Sequence, residues 1–590
     1  MPLYVKYTGR HRDDFSTLED LQKNYKLNIP DDFNFAFDCL DAIAAETPGA
    51  LALLWLSNDG EERRFTFEEI RRLSVKAANF FIAQGIGKGD MVMLTMSRDW
   101  RYWPVLMGLH RMGAVAVPAT YLLTKKDLEY RMNAASIKML LTTPRFGVVA
   151  AMEEALPACP TIEKLAVFGG CAPGGAAPGG AAPGGCAPGG AAPGGAVPGE
   201  GAPRSRWIDF DAELEAAPET PVARGNTKSD MMLMAFSSGT TGYPKMVLHD
   251  YTYPLGHIVT GCFWHRCEPG GLHFTISDTG WLKSLWGKMY SQWLAGSAVF
   301  AYDFDKFSAP DILEKIARYK VTTFCAPPTM YRYLIKEDFR EYDLSSLRHC
   351  TTAGEALNPE VYKVWLEGTG LKIFEGFGQS ETTISCWTGF PWMQPRIGSM
   401  GLPSPSYRMV VVGDDSQEVA PGVTGEICIR TDEEGGGKPY GMFCGYYRDE
   451  KMTEDAWHDG LYHTGDTAYK DEMGFLWYVG RTDDVIKSSG YRIGPFEVES
   501  VLMEHPAVTE CAVTGVPDPE RGFAVKATIV LSKGYAGSAE LTKELQNHVK
   551  RITAPYKYPR YIEYVDALPK TVNGKIRRSE IREKDMAARP

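Results

Sequence analysis

The sequence predicts an α/β protein: a large composite N-terminal domain with mostly parallel sheets, followed by a small α+β domain. Three observations carry this. Apolar runs of strand length alternate with helix-like segments through most of the chain, the pattern of βαβ units. At 590 residues the chain is longer than one hydrophobic core sustains, so at least two domains are expected. From Asp483 onward the pattern changes to short strands and helices, enough for a compact unit of its own.

In chain order, the run from Met91 to Met96 reads as a buried strand, Trp100 to Met112 as a mixed aromatic segment, and Ala114 to Val117 as another apolar run. Lys138 to Thr142 and Val321 to Cys325 repeat the strand pattern, with helix-like segments between. Such runs do not reveal strand order. Beyond Asp483, Phe496 to Met503 reads as a helix, Val508 to Val516 and Ala527 to Leu531 as strands, and Ala539 to Ile552 as a helix.

Between Cys171 and Glu200 a Pro-Gly pentapeptide repeats six times. Proline removes donors and glycine raises the entropic cost of ordering, so the tract is expected to be a flexible, partly polyproline-like surface loop. Its period of five excludes collagen, which needs glycine at every third position. Lying between Val167 and Trp207, it reads as an insertion within a domain at about 168–204, without a catalytic role. An interaction segment is the alternative.

The net charge of −11, with no basic stripe, argues against nucleic acid as a partner. Anionic ligands must therefore meet local lysines and arginines. Met1 to Phe15 holds no apolar core, so it reads as neither signal nor anchor, and no apolar run is long enough to span a bilayer. Twelve cysteines are scattered without a framework, which predicts reduced thiols and a cytoplasmic location. Cys262, His265 and Cys267 lie close in sequence, but without a second ligand pair a plain, partly buried segment is the stronger reading.

The most informative string is Ser237-Ser238-Gly239-Thr240-Thr241-Gly242-Tyr243-Pro244-Lys245. Glycines let backbone N–H groups approach phosphate oxygens, hydroxyls add donors, and a lysine neutralises remaining charge, so the string suits a polyphosphate. The Walker pattern is not met, because Lys245 follows Tyr-Pro and no hydroxyl residue follows it. The plainer alternative is a polar surface turn.

Four downstream strings narrow the class: Phe374-Glu375-Gly376-Phe377-Gly378-Gln379-Ser380-Glu381-Thr382, Tyr462-His463-Thr464-Gly465-Asp466, Gly480-Arg481-Thr482-Asp483-Asp484, and Gly490-Tyr491-Arg492-Ile493-Gly494-Pro495. A fifth, Pro569-Lys570-Thr571-Val572-Asn573-Gly574-Lys575, closes the set. In this order and spacing the chain from about Phe65 to Arg578 resembles the AMP-forming acyl-CoA synthetases of the adenylate-forming superfamily. Ser277-Asp278-Thr279-Gly280-Trp281 and Ala353 to Glu360 make it most similar to the medium-chain group.

The resemblance implies an N-terminal AMP-binding (adenylation) domain over residues 1–482 and a mobile C-terminal domain over 483–590, hinged at Asp483. It implies ATP with Mg2+ and coenzyme A as substrates, and no tightly bound cofactor. Thr240, Thr241 and Lys245 would hold the β- and γ-phosphates, with Ser237, Ser238, Gly239 and Gly242 in the same loop. Glu381 would take the magnesium, a hard cation that prefers oxygen ligands. Ser380 would lie near the α-phosphate. Gly354, Glu355 and Ala356 would pack on adenine, with Gln379 and Arg492 also on the nucleotide. Asp466 would accept the ribose hydroxyls, supported by Arg481. Lys575 would bridge the substrate carboxylate and the α-phosphate. For the second half-reaction, rotation about Asp483 would bring Ser489 and Gly490 to the pantetheine arm, and Lys550 or Arg551 could meet phosphates of coenzyme A. Each residue also has a plainer reading, Asp466 as a turn acid or Lys575 as one of a solvated basic run with Lys570, Arg577 and Arg578.

Acetyl-specific relatives place tryptophan directly before the glutamine, where this chain has Gly378. The lost indole opens volume for a medium-chain or aromatic acid, with Trp281, Phe377 and Trp387 as pocket walls or ordinary core aromatics. Two alternatives stand beside the acid:CoA ligase: an adenylating enzyme that loads a carrier protein in trans, and a catalytically silent scaffold.

Overall fold

The structure, a computed structural model, describes residues 1–169, 206–237, 244–432, 437–489, 491–570 and 575–587. Two large sheets dominate. One runs in the order Trp207–Asp209, Lys164–Val167, Met139–Thr142, Met91–Thr95, Val115–Pro118, Met231–Ser237, Lys245–Asp250, parallel except for its last pair. The other has nine strands, with a parallel centre formed by Leu51–Ser57, Ala298–Asp303, Leu272–Thr275, Thr323–Cys325, His349–Ala353 and Ile373–Gly378. Antiparallel strands close both its edges. The expected α/β class with largely parallel sheets is therefore present, and the runs read as strands from sequence lie near the middle of these sheets.

The aromatic segment after Met96 becomes the helix Tyr102–Met112, buried on nearly every face. Its residues join one core with strand residues of both sheets, Val92 and Ala116 of the first and Leu53 and Val299 of the second. Gly108 lets it approach the helix Phe67–Ala83: a Cβ there would lie 2.8 Å from the Ala77 Cβ and 2.9 Å from the Ala78 nitrogen. Only glycine permits that spacing.

An N-terminal segment packs into the same core through Tyr4, Tyr7, Phe15 and Leu21. Arg12 is buried and donates to the carbonyls of Cys262 and Cys267 at 2.7 and 2.8 Å, and to Glu268 at 2.9 Å. Cys262, His265 and Cys267 are themselves buried, and His273 joins the last two within ligand distance.

A third, antiparallel sheet comprises Met409–Val412, Thr424–Arg430, Trp457–His458, Leu461–Lys470 and Leu476–Arg481. After it comes a mostly antiparallel sheet of Ile486–Ser488, Tyr491–Ile493, Val508–Asp518, Gly522–Leu531 and Tyr561–Tyr564, packed with the helices Pro495–Met503 and Ala539–Ile552. No helix among the described residues is long and apolar enough to cross a membrane.

The Pro-Gly repeat lies outside the described residues, but its flanks are placed. Lys164–Val167 and Trp207–Asp209 are parallel neighbours, with Leu165 opposite Trp207. Parallel neighbours need a crossover of about a dozen residues or more. Replacing Cys171–Glu200 by a Gly-Ser link that keeps the connection near that length is therefore expected to leave turnover and Tm nearly unchanged, since closure entropy depends only weakly on loop length. A tenfold fall in turnover of the folded deletion protein, a threshold set at about 1.4 kcal/mol, would assign the tract a part in the site.

Candidate active site

Where parallel strands end, their C-terminal loops form a crevice, the usual ligand position of open α/β sheets. His349–Ala353 runs out into Gly354-Glu355-Ala356, and Ile373–Gly378 into Gln379-Ser380-Glu381. These segments, with Ser237, Lys245, Phe377, Asp466, Arg481, Asp483 and Lys575, line one cleft of about 920 Å³. Most of the residues assigned by motif are thus brought together from five distant stretches of sequence.

Lys245 opens the strand that returns antiparallel from Ser237, its own cross-strand partner. Ser238 to Gly242 lie outside the described residues, as do Gly490 and the Arg492 side chain. The Lys245 ammonium sits 4.9 Å above the Tyr446 ring. The Tyr446 hydroxyl donates to Glu381 Oε1 at 2.9 Å. Burial and the Glu381 charge push that phenol far above its ordinary value, so it stays a donor. Behind the loop, His249 Nε2 donates to the Ser380 carbonyl at 2.8 Å, and burial lowers the imidazole to about 4, keeping it neutral.

Gln379 ties the loop to the third sheet. Its Nε2 donates to the Thr464 carbonyl at 2.8 Å and to Asp466 Oδ2 at 2.6 Å, while its Oε1 accepts from Tyr462 at 2.9 Å. Asp466 also accepts from the Tyr478 hydroxyl at 3.3 Å and pairs with Arg481 at 3.3 Å, directly across the strands. Burial raises the Asp466 carboxyl, opposed by Arg481, Gln379, Tyr478 and Lys575. Glu426, on the neighbouring strand, accepts from the Gly465 N–H at 2.8 Å and faces His463 Nδ1 at 3.0 Å, which holds the turn before Asp466. Glu355 accepts from the Thr329 hydroxyl at 3.1 Å.

Several assigned residues lie elsewhere. Trp387 is buried in the core, stacked on Phe390 at 4.6 Å, the structural one of its two readings. Trp281 precedes the helix Leu282–Lys288, without a capping bond from its side chain, and lies outside the cleft lining. Ser489 lies outside it too, its N–H donating to the Arg521 carbonyl at 2.9 Å. Lys550 sits 3.9 Å above the Tyr558 ring and Arg551 points to His548 at 3.3 Å, both on an exposed helix face. In this arrangement Lys575, not the Ser489 loop, faces the cleft. Gly378 does line it, yet the direction of its Cβ is blocked: that atom would sit 2.5 Å from the Thr383 carbonyl oxygen. The glycine therefore serves the close pairing of its strand with Ile384–Trp387.

Sequence reasoning missed Tyr446, Glu426 and Tyr478, which act through cross-strand and loop contacts that no local string signals. It also left Glu375 unassigned inside a motif it quoted. Glu375 is buried in the cleft wall, accepts one hydrogen bond from the Leu357 N–H at 3.1 Å, and burial raises its carboxyl to about 8. The folded protein then keeps a proton that the unfolded chain releases near pH 4.3, so stability falls as pH rises between the two values, by up to about 1.4 kcal/mol per unit. Glu375→Gln is expected to raise Tm more at pH 7.5 than at pH 5. Equal shifts in thermal unfolding at the two pH values would show that the buried carboxyl is already ionised.

A cleft at the ends of parallel strands, lined by Lys245, Glu381, Asp466, Arg481 and Lys575, on two large α/β sheets is the arrangement expected of an adenylate-forming enzyme. Sequence comparison fixes the family: the model of the AMP-binding enzyme family matches residues 40–447, and that of the AMP-binding enzyme C-terminal domain matches residues 497–575. The chain belongs to the AMP-binding enzyme family. It is 37% identical over 596 residues to the mouse mitochondrial acyl-coenzyme A synthetase ACSM3, covering 99% of this chain and 96% of that one. It is 38% identical to the human mitochondrial acyl-coenzyme A synthetase ACSM5, covering 94% and 91%. Among solved structures, the anthranilate CoA ligase AuaEII in complex with anthranoyl-AMP superposes with a TM-score of 0.80 at 28% identity, covering 95% and 98%. A benzoate CoA ligase from Burkholderia xenovorans LB400 shares the fold, with a TM-score of 0.76 at 23% identity and coverage of 93% and 100%.

The activity class is that of an AMP-forming acid:CoA ligase, an acyl-CoA synthetase. The comparisons overturn the cytoplasmic expectation, because the relatives are mitochondrial proteins. Scattered thiols argue only against an oxidising compartment, and that criterion does not separate the remaining ones.

Proposed function

We propose that the protein activates a medium-chain or aromatic carboxylic acid with ATP and passes the acyl group to coenzyme A. The observation that carries this reading is the convergence of Lys245, Glu381, Asp466 and Lys575 on one cleft whose acyl side lacks an indole at Gly378. A carboxylate oxygen attacks the α-phosphorus, the bond to pyrophosphate breaks, and an acyl-adenylate forms without a protein nucleophile. Charge gathers on phosphoryl oxygens, so catalysis is positioning and positive charge. Lys245 serves the outer phosphates, Asp466 orients ribose, and Lys575 meets the carboxylate and α-phosphate. Glu381 fits a magnesium ion by its hard oxygen donors, with Tyr446 orienting one of them. When bound with the triphosphate, that ion would supply further charge neutralisation.

The thiol of coenzyme A then attacks the acyl carbon and AMP leaves. Residues 483–590 form the mobile unit in this reading, and rotation at Asp483 exchanges Lys575 for the Ser489–Gly490 loop. A panel of acids from acetate to decanoate plus benzoate, scored by CoA-dependent AMP release, tests the proposal. Acid-dependent ATP–pyrophosphate exchange without CoA-dependent AMP release favours carrier loading, and neither activity favours a silent scaffold.

Gly378→Trp is expected to move the ratio of kcat/KM for octanoate over acetate toward acetate, by about 1–3 kcal/mol per methylene excluded. Because a Cβ meets the Thr383 carbonyl, the same change should lower Tm. A folded variant with an unaltered ratio removes Gly378 from the acyl pocket.

A further inference from the structure

Arg578, which belongs by sequence to a solvated basic run after Lys575, is instead held by buried acid. Its Nε and Nη2 donate to Glu499 Oε1 at 3.0 and 2.8 Å, and Nη2 also reaches Oε2 at 2.7 Å. Asp484 stands 3.9 Å away and pairs with Arg582 as well. Glu499 is 4% exposed, and its Oε1 accepts a further bond from the Val513 N–H at 2.7 Å. Burying a carboxylate is costly unless its charge is matched and its lone pairs are filled, and both conditions are met here.

The clamp connects two parts of the site. On one side, the Arg577 N–H donates to the Pro569 carbonyl at 2.9 Å and Ile576 pairs with Lys570, which closes the segment bearing Lys575. On the other, Glu499 lies on the helix Pro495–Met503, whose Phe496 ring meets Tyr478 edge-on at 6.2 Å. Tyr478 in turn donates to Asp466. A path thus runs from Asp466 through Tyr478 and Phe496, along the helix to Glu499, and through Arg578 to the lysine segment.

We infer that Arg578 is a positioning residue for adenylate formation: its two-pronged bond to Glu499 sets where Lys575 stands relative to Asp466. The inference rests on the role proposed for Lys575. A planar guanidinium fixes both distance and angle to a carboxylate, which a lysine ammonium at the same place cannot. Small displacements of a charge that must meet the reacting phosphoryl group are expensive in rate.

The test uses the full chain with Arg578→Met and Arg578→Lys, each alone and combined with Lys575→Ala. Adenylation is followed by ATP–pyrophosphate exchange and the second half-reaction by thioester formation from supplied acyl-adenylate. Arg578→Met is expected to lower kcat for adenylation roughly 10- to 100-fold with a smaller change in KM for ATP, the cost of misplacing an otherwise intact group. Arg578→Lys should recover part of the loss, and thioester formation should persist. In the Lys575→Ala background Arg578→Met should cost nothing further, because it acts through that lysine. The inference is overturned if the loss is undiminished in that background, if both half-reactions fall equally, or if folded Arg578→Met is fully active. Lys575→Ala that leaves adenylation intact overturns the lysine assignment itself, a distinct result. If Arg578→Met does not fold, Glu499→Gln, which keeps an acceptor for Val513, takes its place with the same expectations.

Discussion

Lys575→Ala is expected to slow acyl-adenylate formation by roughly 10²- to 10³-fold, the loss typical of removing one preorganised donor to a developing charge. Thioester formation from supplied acyl-adenylate should change by less than about threefold, because the ammonium is proposed to act only in the first transition state. The placement supports a long-range electrostatic role: the Lys575 charge lowers the Asp466 carboxyl against the effect of burial. It also helps depress the Lys283 ammonium, which burial already lowers. Separate rapid-quench measurements of the two half-reactions decide the matter. Equal losses in both would reassign Lys575 to folding or to the coenzyme A site.

Glu381→Gln should cost nearly as much, about 10²-fold in adenylation, since it removes the charge proposed to face the metal yet keeps an acceptor for Tyr446. Tyr446→Phe keeps the charge and loses the orienting bond, so a smaller loss of about tenfold is expected, the scale of one hydrogen bond to a charged group. The two variants differ in the decisive readout. Added Mg2+ should partly restore the tyrosine variant and leave the glutamine variant impaired. A Glu381→Gln enzyme with unaltered magnesium dependence would remove Glu381 from the metal site.

The fold class was legible because strands buried on both faces read as nearly continuous apolar runs, as Met91 to Leu94 and Met139 to Leu141 do. Strand order was not, since neighbours such as Leu51–Ser57 and Ala298–Asp303 are paired by tertiary packing across distant sequence. In the site, residues whose chemistry is local to a string, such as Lys245 with its glycines or Asp466 after Thr-Gly, could be named. Those that work by facing another strand could not: Glu426 supports Gly465 only once its strand is paired. Arg578 misled for a related reason. A basic residue beside others reads as solvated until its buried carboxylate, 79 positions earlier, is folded against it.

The N-terminal segment bears on what counts as one unit. The family match begins at residue 40, yet Tyr4, Tyr7, Phe15 and Leu21 are core residues, and Arg12 satisfies two carbonyls more than two hundred positions away. A chain trimmed to the family boundary would expose apolar surface and leave the Cys262 and Cys267 carbonyls without the Arg12 donor, both at a cost to stability. The stretch matched by the family model and the packed core therefore have different edges, and the wider one is the proper object for excision or fusion.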